Sequence, residues 1–244
     1  MPQLDAWEKE YRNPQLVAVG DDPQRSVLKY LKWLRRKEKK DLPGLAVLDL
    51  GSGIGKNANF MAKEGATVTG IELSPTAVAI AKQRAAEEGV TVTYLQRSFG
   101  EVFPLGDVSI DLVLDVMASN SLNEQERAIY LQEMHRVLKP GGHALVRGLC
   151  KDGDKNTKAL LAKFPGEEYD TYRNPDMNLV ERVFSEEDFR KTYNPLFEIL
   201  SLEKKSNYAR FNGRVYKRNY WMASLRKAAN ECCDLGSNNP TLST

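Results

Sequence analysis

Histidine and cysteine are nearly missing from this 244-residue chain. It has two histidines, His135 and His143, and three cysteines, Cys150 and the adjacent Cys232 and Cys233. Neither histidine has ligand-type neighbours at metal spacing, so no metal centre is expected. An odd number of cysteines without regular spacing makes neither a disulfide framework nor a zinc site. Cys150 has no evident base beside it and is expected as a buried, inert thiol. Long apolar runs are absent too. No stretch is long enough to span a bilayer, and the opening MPQLDAWEKE has no hydrophobic signal core, so the chain reads as cytoplasmic with no membrane partner. An excess of one charge is also lacking. The 35 Lys and Arg against 33 Asp and Glu leave a net +2, far from the basic footprint of a nucleic-acid binder. What remains is a globular composition, 41% hydrophobic and 28% charged, with no internal repeat.

The middle of the chain alternates two periodicities. Short runs rich in β-branched residues occupy Leu45–Leu50, Thr67–Ile71, Thr91–Leu95, Ile110–Val116 and His143–Leu149. Amphipathic stretches with helical spacing separate most of them, such as Pro75–Glu88 and Glu124–Leu138. Continuous apolar strands alternating with helices imply a parallel sheet with right-handed crossovers and helices on both faces. Ser74-Pro75 reads as an N-cap with proline in the first turn, and Gly89 as a stop. Lys139-Pro140-Gly141-Gly142 reads as a turn between a helix and the fifth strand.

A helix is also expected over Gln24–Lys40, ending in the basic run RRKEKK, which suits either a solvated helix C-terminus or a nucleic-acid patch. Lys151–Asn178 is polar, holds little periodicity and reads as a long connection. Ser185-Glu186-Glu187-Asp188 opens a short helix. Phe197–Glu203 and Val215–Leu225, with a turn containing Gly213 between them, read as an antiparallel pair at the sheet edge. The expected fold is therefore α/β, a doubly wound, mostly parallel seven-stranded sheet with an antiparallel C-terminal strand pair.

The first strand runs into Asp49-Leu50-Gly51-Ser52-Gly53-Ile54-Gly55 before a helix. Such a turn lets backbone approach a ligand, because glycine has no Cβ and accepts positive φ. A phosphate-binding loop needs GxxxxGK followed by Ser or Thr; here Asn57 follows Gly55-Lys56 and the earlier glycine is missing. A dinucleotide site needs GxGxxG, and here Lys56 follows a GxGxG. The segment VLDLGSGIGKNANFMAKEGATVTGIELSP instead resembles the first two motifs of the class I S-adenosylmethionine-dependent methyltransferases. DVSIDLVLD and HRVLKPGG resemble two later ones in the same order, so the likeness covers about Val47–Leu149. A carboxylate at the mouth of the turn would repel a pyrophosphate but suits a cationic aminoacyl sulfonium.

The resemblance implies S-adenosyl-L-methionine as cofactor, S-adenosyl-L-homocysteine as product, and roles position by position. Asp49, Gly51, Ser52 and Gly53 border the methionine half, Glu72 takes the ribose hydroxyls and Leu73 packs on adenine. Ser98 and Phe99 stand where the family usually places an acidic group near the adenine amine. Asp115 and Val116 face the cofactor's amino group or the substrate. Three readings of Asp115 stay open: cofactor contact, proton acceptor for the substrate, or structural cap. Asn120 suits substrate approach or a helix cap. DVMA lacks the Asn/Asp-Pro-Pro-aromatic motif of the family's amino-methylating DNA enzymes.

Trp7 and Tyr11, one helical turn apart, are either a lid over the site or plain core. Arg147 interrupts the apolar fifth strand and meets either an anionic substrate or a structural ion-pair partner. The stretch Tyr208–Tyr220 suits an exposed edge hairpin better than a nucleic-acid contact. One domain is expected over residues 1–229: a helical or lid segment (1–44), a cofactor-binding core (45–150), and a substrate-side connection with edge hairpin (151–229). Residues 230–244 are expected as a disordered tail. The leading expectation is methyl transfer to a small molecule. The rivals are a protein or tRNA acceptor, a nicotinamide-dependent oxidoreductase, and a non-catalytic cofactor-binding subunit.

Overall fold

The computed structural model describes residues 3–14, 20, 22–211 and 214–229. The expected tail, the turn at Gly213 and Cys232–Cys233 lie outside the described residues. The chain starts with α1 (Leu4–Arg12) and α2 (Arg25–Trp33), which continues as a π-helical turn over Leu34–Glu38. Then come β1 (Ala46–Leu50), α3 (Lys56–Lys63), β2 (Thr67–Glu72), α4 (Pro75–Glu87), β3 (Val92–Gln96) and β4 (Ile110–Val116). A 3-10 turn at Ser119–Ser121 leads to α5 (Glu124–Val137), β5 (Leu138–Leu149) and α6 (Lys155–Lys163). The last part holds β6 (Thr171–Arg173), β7 (Val180–Arg182), α7 (Glu186–Tyr193), β8 (Glu198–Phe211) and β9 (Arg214–Arg226).

Seven strands make one sheet in the order β3-β2-β1-β4-β5-β9-β8. The first five are parallel, while β9 pairs antiparallel with both β5 and β8, as expected for the edge pair. Successive residues of the central strands go to opposite faces. Val47, Leu112, Leu114 and Leu145 pack with Val27, Met61 and Ala81 of α2, α3 and α4. Leu48, Leu50, Val113 and Val146 pack with Tyr130 and Met134 of α5 and with Phe189 and Tyr193 of α7. This two-sided burial is why the central strands read as unbroken apolar runs. Truncating a fully buried leucine such as Leu48 or Leu114 to alanine should cost about 2–5 kcal/mol.

Side-chain caps start four helices. Ser74 accepts from the Ala77 N–H with Pro75 beside it, and Asn123 and Glu126 form a reciprocal capping box. Ser185 and Asp154 cap α7 and α6. Each such cap is worth about 1 kcal/mol.

Two expectations need correction. Residues 151–178 are not a bare connection. Asp154 caps α6, whose Leu160 and Leu161 pack beside Tyr172, Val183 and Tyr220, and Thr171–Arg173 pairs with Val180–Arg182 as a small separate sheet. The strands are three residues each, too short to set up an alternation in the sequence. The KPGG segment lies inside the span of β5, which begins at Leu138, and not before it; it still turns out of the ladder, since Ile110 pairs with Leu138 and Leu112 with His143, and Gly141 has a φ of +70°.

Candidate active site

Strand β1 lies between β2 and β4, so the winding of the sheet reverses beside it. Open α/β sheets bind ligands outside the carboxyl ends of their strands at such a point. A cavity of about 410 Å³ lies there, within the roughly 300–1,000 Å³ usual for small-molecule sites. Its floor is the turn after β1. Gly51 and Gly53 have φ of +64° and +53°. A Cβ on Gly51 would run into Ala118, and one on Gly53 would come within 2.9 Å of the Tyr11 hydroxyl oxygen. Glycine is required at both places by conformation and by space.

The turn is fixed from below. The N–H groups of Gly51 and Ser52 both donate to the Ile71 carbonyl, at 2.8 and 3.1 Å. The two oxygens of Glu72 accept from the Gly53 N–H at 2.9 Å and the Ser74 N–H at 2.8 Å. Glu72 thus holds the turn while its carboxylate borders the cavity. Asp49 is 2% exposed, and its Oδ2 has no hydrogen-bond partner among the described residues; the Ser52 hydroxyl has none either. Burial, with Glu72 and Asp115 nearby, pushes the Asp49 carboxyl up to about 8. Burial also raises Glu72, against the pull of the backbone N–H groups it accepts. A buried polar atom left unpaired costs about 1–3 kcal/mol, which a bound donor or cation would relieve.

The roof comes from distant parts of the chain. The Gln3 amide exchanges two hydrogen bonds with the Val180 backbone, accepting at 2.7 Å and donating at 3.0 Å, and also donates to the Ser121 carbonyl. Helix α1 is therefore stapled to β7. Its Glu8 accepts from the hydroxyls of Ser74, at 2.5 Å, and Thr76, which fastens α1 to the start of α4. Tyr11 packs with Ile54 and Ala77, and Trp7 lies alongside. Met177, Leu179 and Glu181 from β7 and the loop before it, and Arg218 and Tyr220 from β9, complete the far end.

Most residues singled out in the sequence meet at this cavity. Asp49, Gly51, Ser52, Gly53, Glu72, Leu73, Ser98, Phe99 and Val116 line it, as do Trp7, Tyr11 and Arg147. Two do not reach it. Asp115 is fully buried beneath the site. Its Oδ1 accepts from the N–H groups of Ala118 and Ser119, both at 3.1 Å, and its Oδ2 from the Tyr130 hydroxyl at 2.8 Å. It caps the turn after β4, the structural one of its three readings, and it is not among the residues that line the cavity. Asn120 is 1% exposed and accepts the Leu149 N–H through Oδ1 at 3.0 Å, tying the 3-10 turn to the end of β5. It too is structural.

The remaining candidates lie elsewhere. Cys150 is buried, and its thiol is pushed up to about 11 by that burial. His143 is buried against Glu38 and lowered to about 4, by burial first and then by Lys40 and Arg226. His135 packs edge-on against Phe197. The RRKEKK run sits at the start of β5, where Lys40 donates to the Gly141 carbonyl, at the opposite end of the sheet from the cavity. Sequence reasoning missed Gln3, Met177, Leu179, Glu181 and Arg218 as site residues. No local pattern marks a single roof glutamine or a three-residue strand.

Comparison with known proteins agrees with this geometry. Residues 47–142 match a family model described as a methyltransferase domain. A ubiquinone biosynthesis O-methyltransferase of Pseudomonas syringae is 31% identical over 158 residues, which are 65% of this chain and 62% of that protein. An uncharacterized methyltransferase of Synechocystis is 37% identical over 100 residues, 41% of this chain and 45% of that protein. The chain thus spans about half to three-fifths of the length of the curated relatives it matches. Among solved structures, a SAM-dependent methyltransferase of Methanosarcina mazei superposes with a TM-score of 0.69 at 22% identity, covering 85% of this chain and 99% of that one. The 1,6-didemethyltoxoflavin-N1-methyltransferase of Burkholderia thailandensis gives 0.62 at 19%, covering 90% and 84%. Fold, glycine turn and sequence define a Rossmann-like methyltransferase domain. Residues 47–142 are a methyltransferase domain, and in sequence and fold the chain is similar to the class I S-adenosylmethionine-dependent methyltransferases.

Proposed function

We propose that this protein transfers a methyl group from S-adenosyl-L-methionine to a small-molecule acceptor. The observation that carries the reading is the cavity floor: a buried carboxyl with an unpartnered oxygen, Asp49, beside two positive-φ glycines and the carboxylate of Glu72. That donor set fits a cationic amino-acid sulfonium and opposes a pyrophosphate. When bound, the cofactor supplies a methyl group on a sulfonium whose leaving group is already activated.

The chain's own work is then positioning. Asp49 accepts from the ammonium of the methionine half, and Ser52 offers its free hydroxyl. Glu72 uses its remaining lone pairs on the ribose hydroxyls. Leu73 and Phe99 would pack against the adenine with Ser98 at its edge, and Val116 would face the cofactor's amino group or the acceptor. Trp7 and Tyr11 close the site from above and keep water out, so an acceptor is held in line with the transferring bond. With its carboxylate committed to backbone N–H groups and Tyr130, Asp115 does not serve as a base at the acceptor end. That suits an acceptor whose nucleophile needs little deprotonation. The roof over the cavity favours a small acceptor over a protein or tRNA, and residues 1–229 act as one methyltransferase unit.

Calorimetry with S-adenosyl-L-methionine, S-adenosyl-L-homocysteine and NAD tests the cofactor part. Micromolar binding of the first two and none of the third is the expected result. Tight NAD binding with no response to the sulfonium defeats the reading.

A further inference from the structure

The far end of the cavity carries the opposite charge from its floor. Arg147 sits near the carboxyl end of β5, next to Val116 of β4 and Met222 of β9 in the sheet. Its backbone is fixed, with the carbonyl accepting the Met117 N–H at 2.8 Å. The guanidinium lies 4.2 Å from the centre of the Tyr220 ring. Among the described residues no carboxylate forms an ion pair or hydrogen bond with it. Burial lowers its proton affinity, and Tyr220 alone works the other way. A charged arginine drawn from water into a cavity wall and stacked on one ring keeps most of its five N–H donors for something else.

The neighbouring charges are accounted for. Arg218 donates to the Tyr172 hydroxyl at 2.9 Å and lies 3.6 Å from Asp154, so it is already shared. Glu181 accepts from the same Tyr172 hydroxyl at 2.8 Å. The floor acids Asp49 and Glu72 belong to the other end. Among the described residues that line the acceptor side, Arg147 is the cation left over.

We propose that Arg147 is a specificity-determining residue that holds the carboxylate of an anionic small-molecule acceptor, through the fork of its guanidinium. Tyr220 presents the fork by stacking on its face and leaving the edge donors open. A monoanion fits better than a phosphate dianion, because Arg147 supplies a single positive charge here and Glu181 stands nearby. The inference rests on the cavity being a methyl-transfer site and names the class of acceptor that site takes.

The test measures binding of three acid–amide pairs, benzoate and benzamide, indoleacetate and indoleacetamide, hexanoate and hexanamide, with and without S-adenosyl-L-homocysteine. In the unaltered protein at least one acid should bind about tenfold or more tightly than its amide, the scale of a charge-assisted hydrogen bond. Arg147→Met and the polar Arg147→Gln should both abolish that preference. Arg147→Lys should keep part of it, since a point charge replaces the fork. Thermal unfolding establishes which variants fold, and two neutral replacements leave the outcome readable if one does not. Equal binding of acids and amides, or a preference that survives Arg147→Gln, overturns the proposal. Acid selectivity that follows Arg147 in a protein that ignores S-adenosyl-L-homocysteine would instead overturn the methyl-transfer reading and leave the anion subsite standing.

Discussion

The two ends of the cavity are built in different ways. The floor is made by one short stretch, Asp49–Ser74, in which strand, glycine turn and the next strand's terminal acid lock one another through backbone hydrogen bonds. It is acidic and rigid. The roof and far end are assembled from Gln3, Trp7, Arg147, Leu179, Arg218 and Tyr220, side chains spread over the whole chain. That end is apolar and cationic. A ligand common to a family is read by backbone that few substitutions can alter, whereas an individual acceptor is read by side chains on pieces that vary freely. The comparison makes its own predictions.

The largest effect should come from breaking the floor. Glu72→Ala removes the acceptor for two backbone N–H groups and for the ribose hydroxyls together. Cofactor affinity should fall by at least about a hundredfold, from hydrogen bonds worth roughly 1.5–3 kcal/mol each when one partner is charged. Calorimetry reads this directly, and affinity within a few-fold of the parent would show that Glu72 does not face the cofactor.

Removing the roof should act next, and differently. Deletion of residues 1–14 leaves the sheet and its flanking helices intact, but it takes away Tyr11, Trp7 and the Glu8 anchor on α4. The domain should stay folded with stability lowered by about 2–5 kcal/mol. Acceptor turnover should collapse while cofactor affinity changes less. If cofactor affinity and turnover fell in equal measure, the two ends would not be separable.

A third expectation concerns protons. The Asp49 carboxyl stands at about 8 in the folded chain against 3.8 when unperturbed. A folded value raised above the unfolded one means the folded form keeps a proton the unfolded chain has lost. This group's contribution to stability is therefore greatest below the unfolded value. It falls as pH rises between 3.8 and about 8, and levels off above that. A cationic ammonium placed against Asp49 favours its ionised form, so cofactor binding below about pH 8 should release close to one proton. Calorimetry in buffers of different ionisation enthalpy counts it. The release should vanish in Asp49→Asn.

The smallest effect should lie outside both ends. Arg36 and Lys37 are exposed in the basic turn at the far end of the sheet. Their replacement by glutamine should change stability by less than about 0.5 kcal/mol and turnover by less than twofold. A large loss of turnover would mark that turn as a docking surface for a macromolecular acceptor.

Legibility followed the same division. The central parallel strands showed because they are buried on both faces, and the floor showed because its glycines and Glu72 lie at fixed separations along one stretch. Asp115 stayed open among its readings, since an acid at a strand end looks alike whether it faces a ligand or caps a turn; its bonds to Ala118, Ser119 and Tyr130 appear only in three dimensions. Asn120 stayed open for the same reason. The β6–β7 sheet was invisible because three-residue strands carry no period, and Gln3 because its partner Val180 is 177 residues away. Arg147 could be noticed but not assigned, because whether a buried arginine has a carboxylate partner is a fact of three dimensions.

The most direct test of the account is where the methyl group goes. The protein is incubated with methyl-radiolabelled S-adenosyl-L-methionine and a whole-cell extract, and the label is then followed into low-molecular-weight and macromolecular fractions. The account predicts label in low-molecular-weight compounds retained on an anion exchanger, lost with Glu72→Ala. Label confined to protein or tRNA, or no transfer at all, would contradict it.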